Sequence, residues 1–280
     1  MKNFFILYFI VTLSVGCAST NHGQITPGYM PAQTADQSSR DLDEINIGQQ
    51  IHQSVLERSF VYRDVKLNQY VEDIGYKLAS FAPRQNLRYE FTVLLDKRIY
   101  IGHAPGGFVY ITTGMIKRLE NEIELAAALA HEISRLQYYY REFSPVKKMV
   151  QTLGPISQLA GLAFPPAAVL APVGLMAMDA YFLQEKTVDE RTFDADAMSM
   201  ELMLKSDYDP QGIIDFLYKV SSVQGKDLPL ILNYLSSHPL SEERVSYIYK
   251  VYLSLDLSNR TFYTHWDRYR DMTASVRDLR

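Results

Sequence analysis

The segment from Asn121 to about Tyr140 constrains the fold more than any other part of this 280-residue chain. Asn121 is a favoured helix N-cap residue, and Glu124 stands three positions later, where a capping partner belongs. The residues that follow are mostly apolar, and the sequence His-Glu-Ile-Ser-Arg interrupts them at positions 131–135. The pattern therefore predicts one long central helix with two neighbouring titratable side chains near its middle.

The other segments predict more helices and a small amount of sheet. Hydrophobic residues make up 47% of the chain, which is enough for one sizeable core and too little for two large domains. Apolar residues at helical spacing predict helices that start at Asp41 and cover about 67–78, 188–205, 210–220 and 241–254. Two β-prone stretches, 89–94 and 108–112, predict strands. We expect a mostly α-helical α+β fold with a small edge sheet against the central helix.

The first 17 residues predict an export signal. A basic start is followed by an apolar run at 4–13 that is too short to span a bilayer, and then by small residues. Cys17, the single cysteine, lies where a lipoprotein signal is cleaved and lipidated. The pattern resembles a bacterial lipobox in which Ser14 replaces the usual leucine; the alternative is an ordinary secretory signal with an incidental cysteine. By resemblance to known sorting rules, Ala18 favours the periplasmic side of the outer membrane of a Gram-negative bacterium.

The chain beyond the signal divides into a tether, a domain and a tail. Residues 18–40 are polar and rich in Ser, Thr, Gln, Gly and Pro, which predicts a disordered tether to the domain at 41–256. The tail, 257–280, mixes charges with aromatic residues and either packs on the domain or docks a partner. An apolar stretch at 153–182 is broken by prolines, so we expect a buried hairpin or active-site cover rather than a membrane span; a surface that touches the membrane is the alternative.

The central helix carries part of a zinc-peptidase pattern. Such a helix needs two histidines four residues apart, which places both imidazoles on one face, and a glutamate after the first histidine as general base for a zinc-bound water. His131 and Glu132 match the first histidine and the glutamate. Arg135 occupies the position of the second histidine, and its guanidinium has no lone pair to give a metal.

Motifs on both sides of this helix occur in a specific order. They are the segments 68–75, 104–114, 120–132, 194–196, 208–210 and 238–240. The set covers residues 41 to about 255 and resembles the bacterial periplasmic branch of the metallopeptidase family that includes HtpX, BepA, LoiP and the CAAX prenyl proteases. The resemblance implies a gluzincin-like α+β domain and Zn²⁺ as the cofactor.

The resemblance also implies roles for individual residues. His131 corresponds to the first zinc ligand and Glu132 to the general base, while Asp196 corresponds to an aspartate that orients a metal-binding histidine. The third zinc ligand of the family is a glutamate four residues before that aspartate, and Thr192 stands there instead. A threonine hydroxyl is a poor zinc ligand. The substrate cleft of the family is lined at the positions of Pro105, Gly106 and Gly107.

Two other histidines could repair the site. His103 precedes the Pro-Gly-Gly sequence, and His238 lies in a region that approaches the metal in relatives. Together with His131 they would supply three zinc donors. Alternatively, His103 is a loop residue and His238 a helix-entry residue, each with hydrogen bonds to satisfy. Arg135 is also open to two interpretations: it replaces the metal's positive charge between Glu132 and Asp196, or it extends into solvent.

These residues lead to two expectations for function. With two of three ligand positions lost, we expect zinc to be absent or weakly bound, and the protein to be a pseudo-peptidase. It would bind peptide or unfolded protein segments in envelope quality control or outer-membrane assembly, next to the envelope assembly machinery and attached to the membrane by its lipid. The alternative is an active zinc metalloendopeptidase with atypical ligands. A net charge of −4 without a basic stripe argues against nucleic-acid binding.

Overall fold

The computed structural model describes residues 35–138, 190–227, 230, 234–235, 238 and 240–279, all within one unit at 33–280. Its strands are β1 (Glu90–Leu94), β2 (Ile101–Ala104) and β3 (Phe108–Thr112). Its helices are α1 (Ala35–Arg58), α2 (Val65–Ala79), α3 (Thr113–Arg118), α4 (Glu122–Tyr138), α5 (Glu190–Lys205), α6 (Gln211–Ser221), α7 (Glu242–Ser254), α8 (Trp266–Met272) and α9 (Ala274–Arg277). The predicted mostly helical α+β fold is confirmed.

The three strands form one sheet in the order β1-β3-β2. Strands β1 and β3 are parallel, while β2 runs antiparallel to β3, with His103 opposite Val109. A short turn at Pro105–Gly107 joins β2 to β3, and Gly106 and Gly107 both have positive φ, 82° and 109°. Residues with a side chain rarely adopt a positive φ, so the turn requires glycine. Strand β2 is an outer strand of the sheet and lies against α4.

Helix α4 begins where the sequence predicts. The Asn121 side chain accepts a hydrogen bond from the Glu124 amide at 3.0 Å, and the Glu124 carboxylate accepts one from the Glu120 amide at 2.8 Å. These bonds satisfy amide groups that no helical carbonyl can reach. The helix then packs against β2, α2, α5 and α6, which buries nearly all of its side chains. The pair at 131–132 is therefore held inside the domain.

Two sequence expectations about elements are corrected. Strand β2, Ile-Gly-His-Ala, was not predicted because all four residues are buried and no polar–apolar alternation marks them. Helix α1 begins at Ala35 and not at Asp41. Asp41 and Glu44 both bind the buried Arg84, through oxygen–nitrogen contacts of 2.9 and 2.8 Å, instead of capping the helix. Tertiary ion pairs thus take the two side chains that resembled a capping box.

The C-terminal tail packs on the domain. The buried Tyr269 donates a hydrogen bond from its hydroxyl to the Ile116 carbonyl at 2.6 Å, and Arg268 forms an ion pair with the buried Glu122 at the start of α4. In the described part of the chain, no helix combines the length and the hydrophobicity that a bilayer crossing requires. The predicted signal with Cys17 and the apolar stretch at 153–182 lie outside the described residues.

Candidate metal and catalytic site

His131 and Asp196 meet between α4 and α5. His131 Nδ1 lies 3.3 Å from Asp196 Oδ1, and neither side chain is exposed to solvent beyond 1%. A carboxylate on Nδ1 fixes the ring of a histidine and directs Nε2 the other way, as happens for metal-binding histidines. Among the described residues, His131 Nε2 is buried and has no hydrogen-bond partner. The structure therefore brings His131 and Asp196 together, and the role of Asp196 in orienting a metal-binding histidine stays a prediction.

Arg244 on α7 completes this contact and was not singled out in the sequence. Its Nε and Nη2 donate to the two carboxylate oxygens of Asp196 at 2.7 and 2.9 Å, a bidentate pair with no solvent access. Burial alone would raise the pKa of Asp196, but Arg244 outweighs it and lowers the pKa to about 2. One signal was available: Arg244 lies in the first turn of α7, where the helix dipole disfavours a cation, and an acidic partner offsets that penalty.

Glu132 lies between two histidines. His103 Nδ1 is 2.7 Å from Glu132 Oε2, and His238 Nε2 is 3.2 Å from Glu132 Oε1; all three side chains are buried. Burial alone would raise the pKa of Glu132, but its contacts with His238 and His103 outweigh that effect and lower the pKa well below its usual range. Glu132 is therefore a carboxylate at neutral pH and only accepts hydrogen bonds. His103 must then carry a proton on Nδ1.

His238 is oriented by the backbone and the ring of Tyr234. Its Nδ1 lies 3.1 Å from the Tyr234 carbonyl oxygen, which can only accept, and its ring stacks on the Tyr234 ring at 4.1 Å. Burial, and after it the charge of Arg135, lowers the pKa of His238 to about 3, so the ring is neutral at pH 7. A neutral ring that donates from Nδ1 presents a lone pair on Nε2. That lone pair faces the carboxylate of Glu132.

The donors of this region match a divalent metal ion in number and type, but one of them, Glu132, is already bonded to His103. His131, Glu132 and His238 each offer one ligand atom, and these atoms lie within 4.8 Å of one another. A catalytic zinc takes three protein ligands of these kinds and one water. The sequence offered His103 as one possible substitute donor, and its Nδ1 is bonded to Glu132. The group therefore differs from the predicted set, because the carboxylate expected to act as general base is itself one of the three donors.

The two substituted positions lie next to these residues. Arg135 follows His131 by one turn of α4 and is half-buried, and its positive charge acts on His238 and Tyr234. Thr192, also half-buried, precedes Asp196 by one turn of α5. Arg244 bonds to both carboxylate oxygens of Asp196. That Arg135 replaces the metal's positive charge between Glu132 and Asp196 stays a prediction.

Helix α1 covers the turn that the resemblance assigns to the substrate cleft. Pro105, Gly106 and Gly107 are all buried, and the Gly106 amide donates to Glu44 Oε1 at 3.2 Å. Gly48 of α1 lies so close that a side chain there would start 1.8 Å from the Pro105 carbonyl oxygen. The cleft-lining role of this turn stays a prediction, and α1 lies over it in the structure.

Comparison with known proteins identifies the family. The chain is 26% identical over 240 residues to the beta-barrel assembly-enhancing protease of Yersinia pestis, an alignment that covers 80% of this chain and 48% of the relative. It is 24% identical over 244 residues to the protein of the same name from Escherichia coli K12, covering 82% and 49%. The chain thus spans about half the length of these relatives. The model of peptidase family M48 matches residues 65–251. This chain belongs to peptidase family M48, a family of zinc-dependent metallopeptidases.

Proposed function

We propose that this protein is a lipid-anchored pseudo-peptidase that binds peptide or unfolded protein segments without cutting them. The observation that carries the proposal is the use of Glu132. In the three-donor group, a metal would take Glu132 as a ligand, and a carboxylate bound to the metal no longer acts as the base for a water. Arg135 and Thr192 cannot replace Glu132 as metal ligands and so leave it free to act as the base.

The setting of this proposed function is the bacterial envelope. The relatives are named for enhancing beta-barrel assembly, which supports envelope quality control or outer-membrane assembly as the process. Unfolded outer-membrane proteins are then the proposed ligands, with the envelope assembly machinery as the proposed partner. The lipid on Cys17 would hold the domain on the periplasmic side of the outer membrane, at the end of the tether that begins at residue 18.

An active metalloendopeptidase with atypical ligands is the second candidate. One observation favours it: the lone pair on His238 Nε2 and the carboxylate oxygen of Glu132 face one another at 3.2 Å. Two acceptors at that distance repel each other unless a proton or a cation lies between them. His131, His238 and Glu132 would hold a zinc ion there, which would act as a Lewis acid on a peptide carbonyl.

Metal content and cleavage together test the proposal. The chain from residue 18 on is purified and measured for zinc by mass spectrometry and for cleavage of labelled casein, beside Glu132→Ala. Glu120→Ala is the matched control, because Glu120 is exposed just before the same helix. We expect well under one zinc per chain and no cleavage, with unfolded casein still bound. Zinc near one per chain, with cleavage lost in Glu132→Ala and kept in Glu120→Ala, would establish the second candidate instead.

A further inference from the structure

We propose that His103 is a positioning residue that holds the buried Glu132 carboxylate in place, and that the two residues form a junction which ties strand β2 to helix α4 without a metal. This histidine junction is the hydrogen-bonded pair of His103 and Glu132. The inference goes beyond the proposed function because it assigns a role to His103 in the folded protein. It rests on that function only in taking the resting domain to be held together without zinc.

The geometry places one oxygen of a single carboxylate against each imidazole. Glu132 Oε2 is 2.7 Å from His103 Nδ1, and Oε1 is 3.2 Å from His238 Nε2. Glu132 lies on α4 and His103 on the outer strand β2, while His238 lies before α7 in the chain. Each is at most 4% exposed, so water cannot substitute for these contacts. The hydrogen bond of His103 with Glu132 thus connects β2 to α4, and His238 lies beside the same carboxylate.

The energetic reason lies in the burial of Glu132. An ionised carboxylate with no solvent access is strongly destabilising unless a hydrogen-bond donor or a cation compensates it. Among the described residues, the side-chain hydrogen bond of Glu132 is the one with His103. A short bond to a charged acceptor is about twice as strong as one between neutral groups. His103 therefore does for Glu132 what Arg244 does for Asp196 on the neighbouring helix.

The position of His103 on β2 makes the contact structural as well as electrostatic. His103 lies opposite Val109 in the sheet, and its strand packs against α4. His103 belongs to β2, and its imidazole is hydrogen-bonded to a side chain of α4. The bond therefore fixes the distance between β2 and α4. Loss of His103 should therefore loosen the strand against the helix.

A thermodynamic cycle tests the junction. Melting temperatures are measured by circular dichroism for the chain from residue 18 on, for His103→Ala, for Glu132→Gln and for both together. We expect His103→Ala to lower the melting temperature by roughly 6–15 °C, because the buried carboxylate loses its donor. Adding Glu132→Gln should recover at least half of that loss, because an amide carries no charge. His103→Asn, which keeps an N–H near the place of Nδ1, should lose less than His103→Ala.

The matched control is the same cycle on His52 and Glu90. His52 Nε2 is 3.0 Å from Glu90 Oε1, but the Glu90 side chain is 49% exposed, so water can solvate it after His52→Ala. We therefore expect no recovery in that double variant. The wild-type melting temperature should also be the same with and without EDTA.

Three results would overturn the junction. The first is a His103→Ala protein as stable as the wild type. The second is a double variant as unstable as His103→Ala, or unfolded like it, since the loss would then come from a cavity and not from a stranded carboxylate. The third is a wild-type melting temperature that falls in EDTA. Zinc content and casein cleavage are measured on the same samples. These two measurements test the proposed function, whereas the recovery of the melting temperature in the double variant tests the junction.

Discussion

At the scale of single residues, the site is a set of buried charges that need partners. Two carboxylates, Glu132 and Asp196, lie on adjacent helices with almost no exposure. Each has a different partner: Arg244 binds Asp196 through two hydrogen bonds, and His103 binds Glu132 through one. Since an unpaired buried charge is among the most destabilising features in a protein, these partners tie α7 to α5 and β2 to α4.

Arg244→Ala is expected to destabilise the protein by about 3–5 kcal/mol, because it leaves Asp196 buried without its cation. Urea denaturation monitored by circular dichroism measures the change in the free energy of unfolding. The control is Arg260→Ala, since Arg260 is 41% exposed and pairs with the exposed Asp207, a contact that contributes under about 1 kcal/mol. Equal losses in the two variants would show that the pairing of Arg244 with Asp196 has no special role.

At the scale of elements, α1 and the Pro105–Gly107 turn determine how the site is covered. The helix approaches the turn closely at Gly48, and Glu44 accepts a hydrogen bond from the Gly106 amide. The Arg84 guanidinium donates hydrogen bonds to Glu44 and Asp41 of α1 and to the Leu136 carbonyl near the end of α4. The start of α1 is therefore fixed to both the sheet and the site helix by buried polar contacts.

Gly48→Ala tests the close approach of α1. Inside a helix this change usually stabilises a protein by about 0.5–1 kcal/mol. Here we expect a loss of about 1–3 kcal/mol, because the new methyl group would overlap the Pro105 carbonyl oxygen. Hydrogen exchange measured by mass spectrometry should rise in peptides covering 101–109. Gln49→Ala, at an exposed position of the same helix, is the control and should leave both measurements unchanged; a stabilised Gly48→Ala would show that α1 does not press on the turn.

At the scale of the whole molecule, the proposed function joins a folded domain to a membrane anchor. The domain provides a metallopeptidase-family site in which Glu132 is bonded to His103, and the proposed anchor supplies the location. A binding protein needs no turnover, so a site whose glutamate is bonded to His103 is compatible with this role. The packed tail adds stability at the start of α4 through Arg268 and Tyr269.

Cys17→Ser tests the anchor. We expect the variant to leave the membrane fraction after cell fractionation, because it removes the thiol that a lipid would modify. Ser14→Leu, which restores the usual leucine of the lipobox, is the control and should remain with the membranes. A Cys17→Ser protein that stays in the membrane fraction as fully as the wild type would contradict the anchored location.

The sequence by itself determined the family, the fold class and most of the helices. Capping residues and apolar spacing act locally, which is why α4 begins after Asn121 and α7 after Ser241 as predicted. The ordered motifs identified the family for the same reason, since they are a property of the chain and need no contact information. His131, Glu132, Asp196 and the substituted positions Arg135 and Thr192 could all be located in this way.

Only the tertiary structure decided which side chains meet. His103 lies on a strand that no alternation marks, and Arg244 is 48 residues from Asp196, so neither partnership leaves a local signal strong enough to predict it. Asp41 and Glu44 were mistaken for a capping box because Arg84 is distant in the chain. Buried charges are compensated by whichever groups the fold brings within hydrogen-bond distance, and that distance is a property of packing. The sequence therefore located the site, and the packing of β2, α4, α5 and α7 determined how its charges are held.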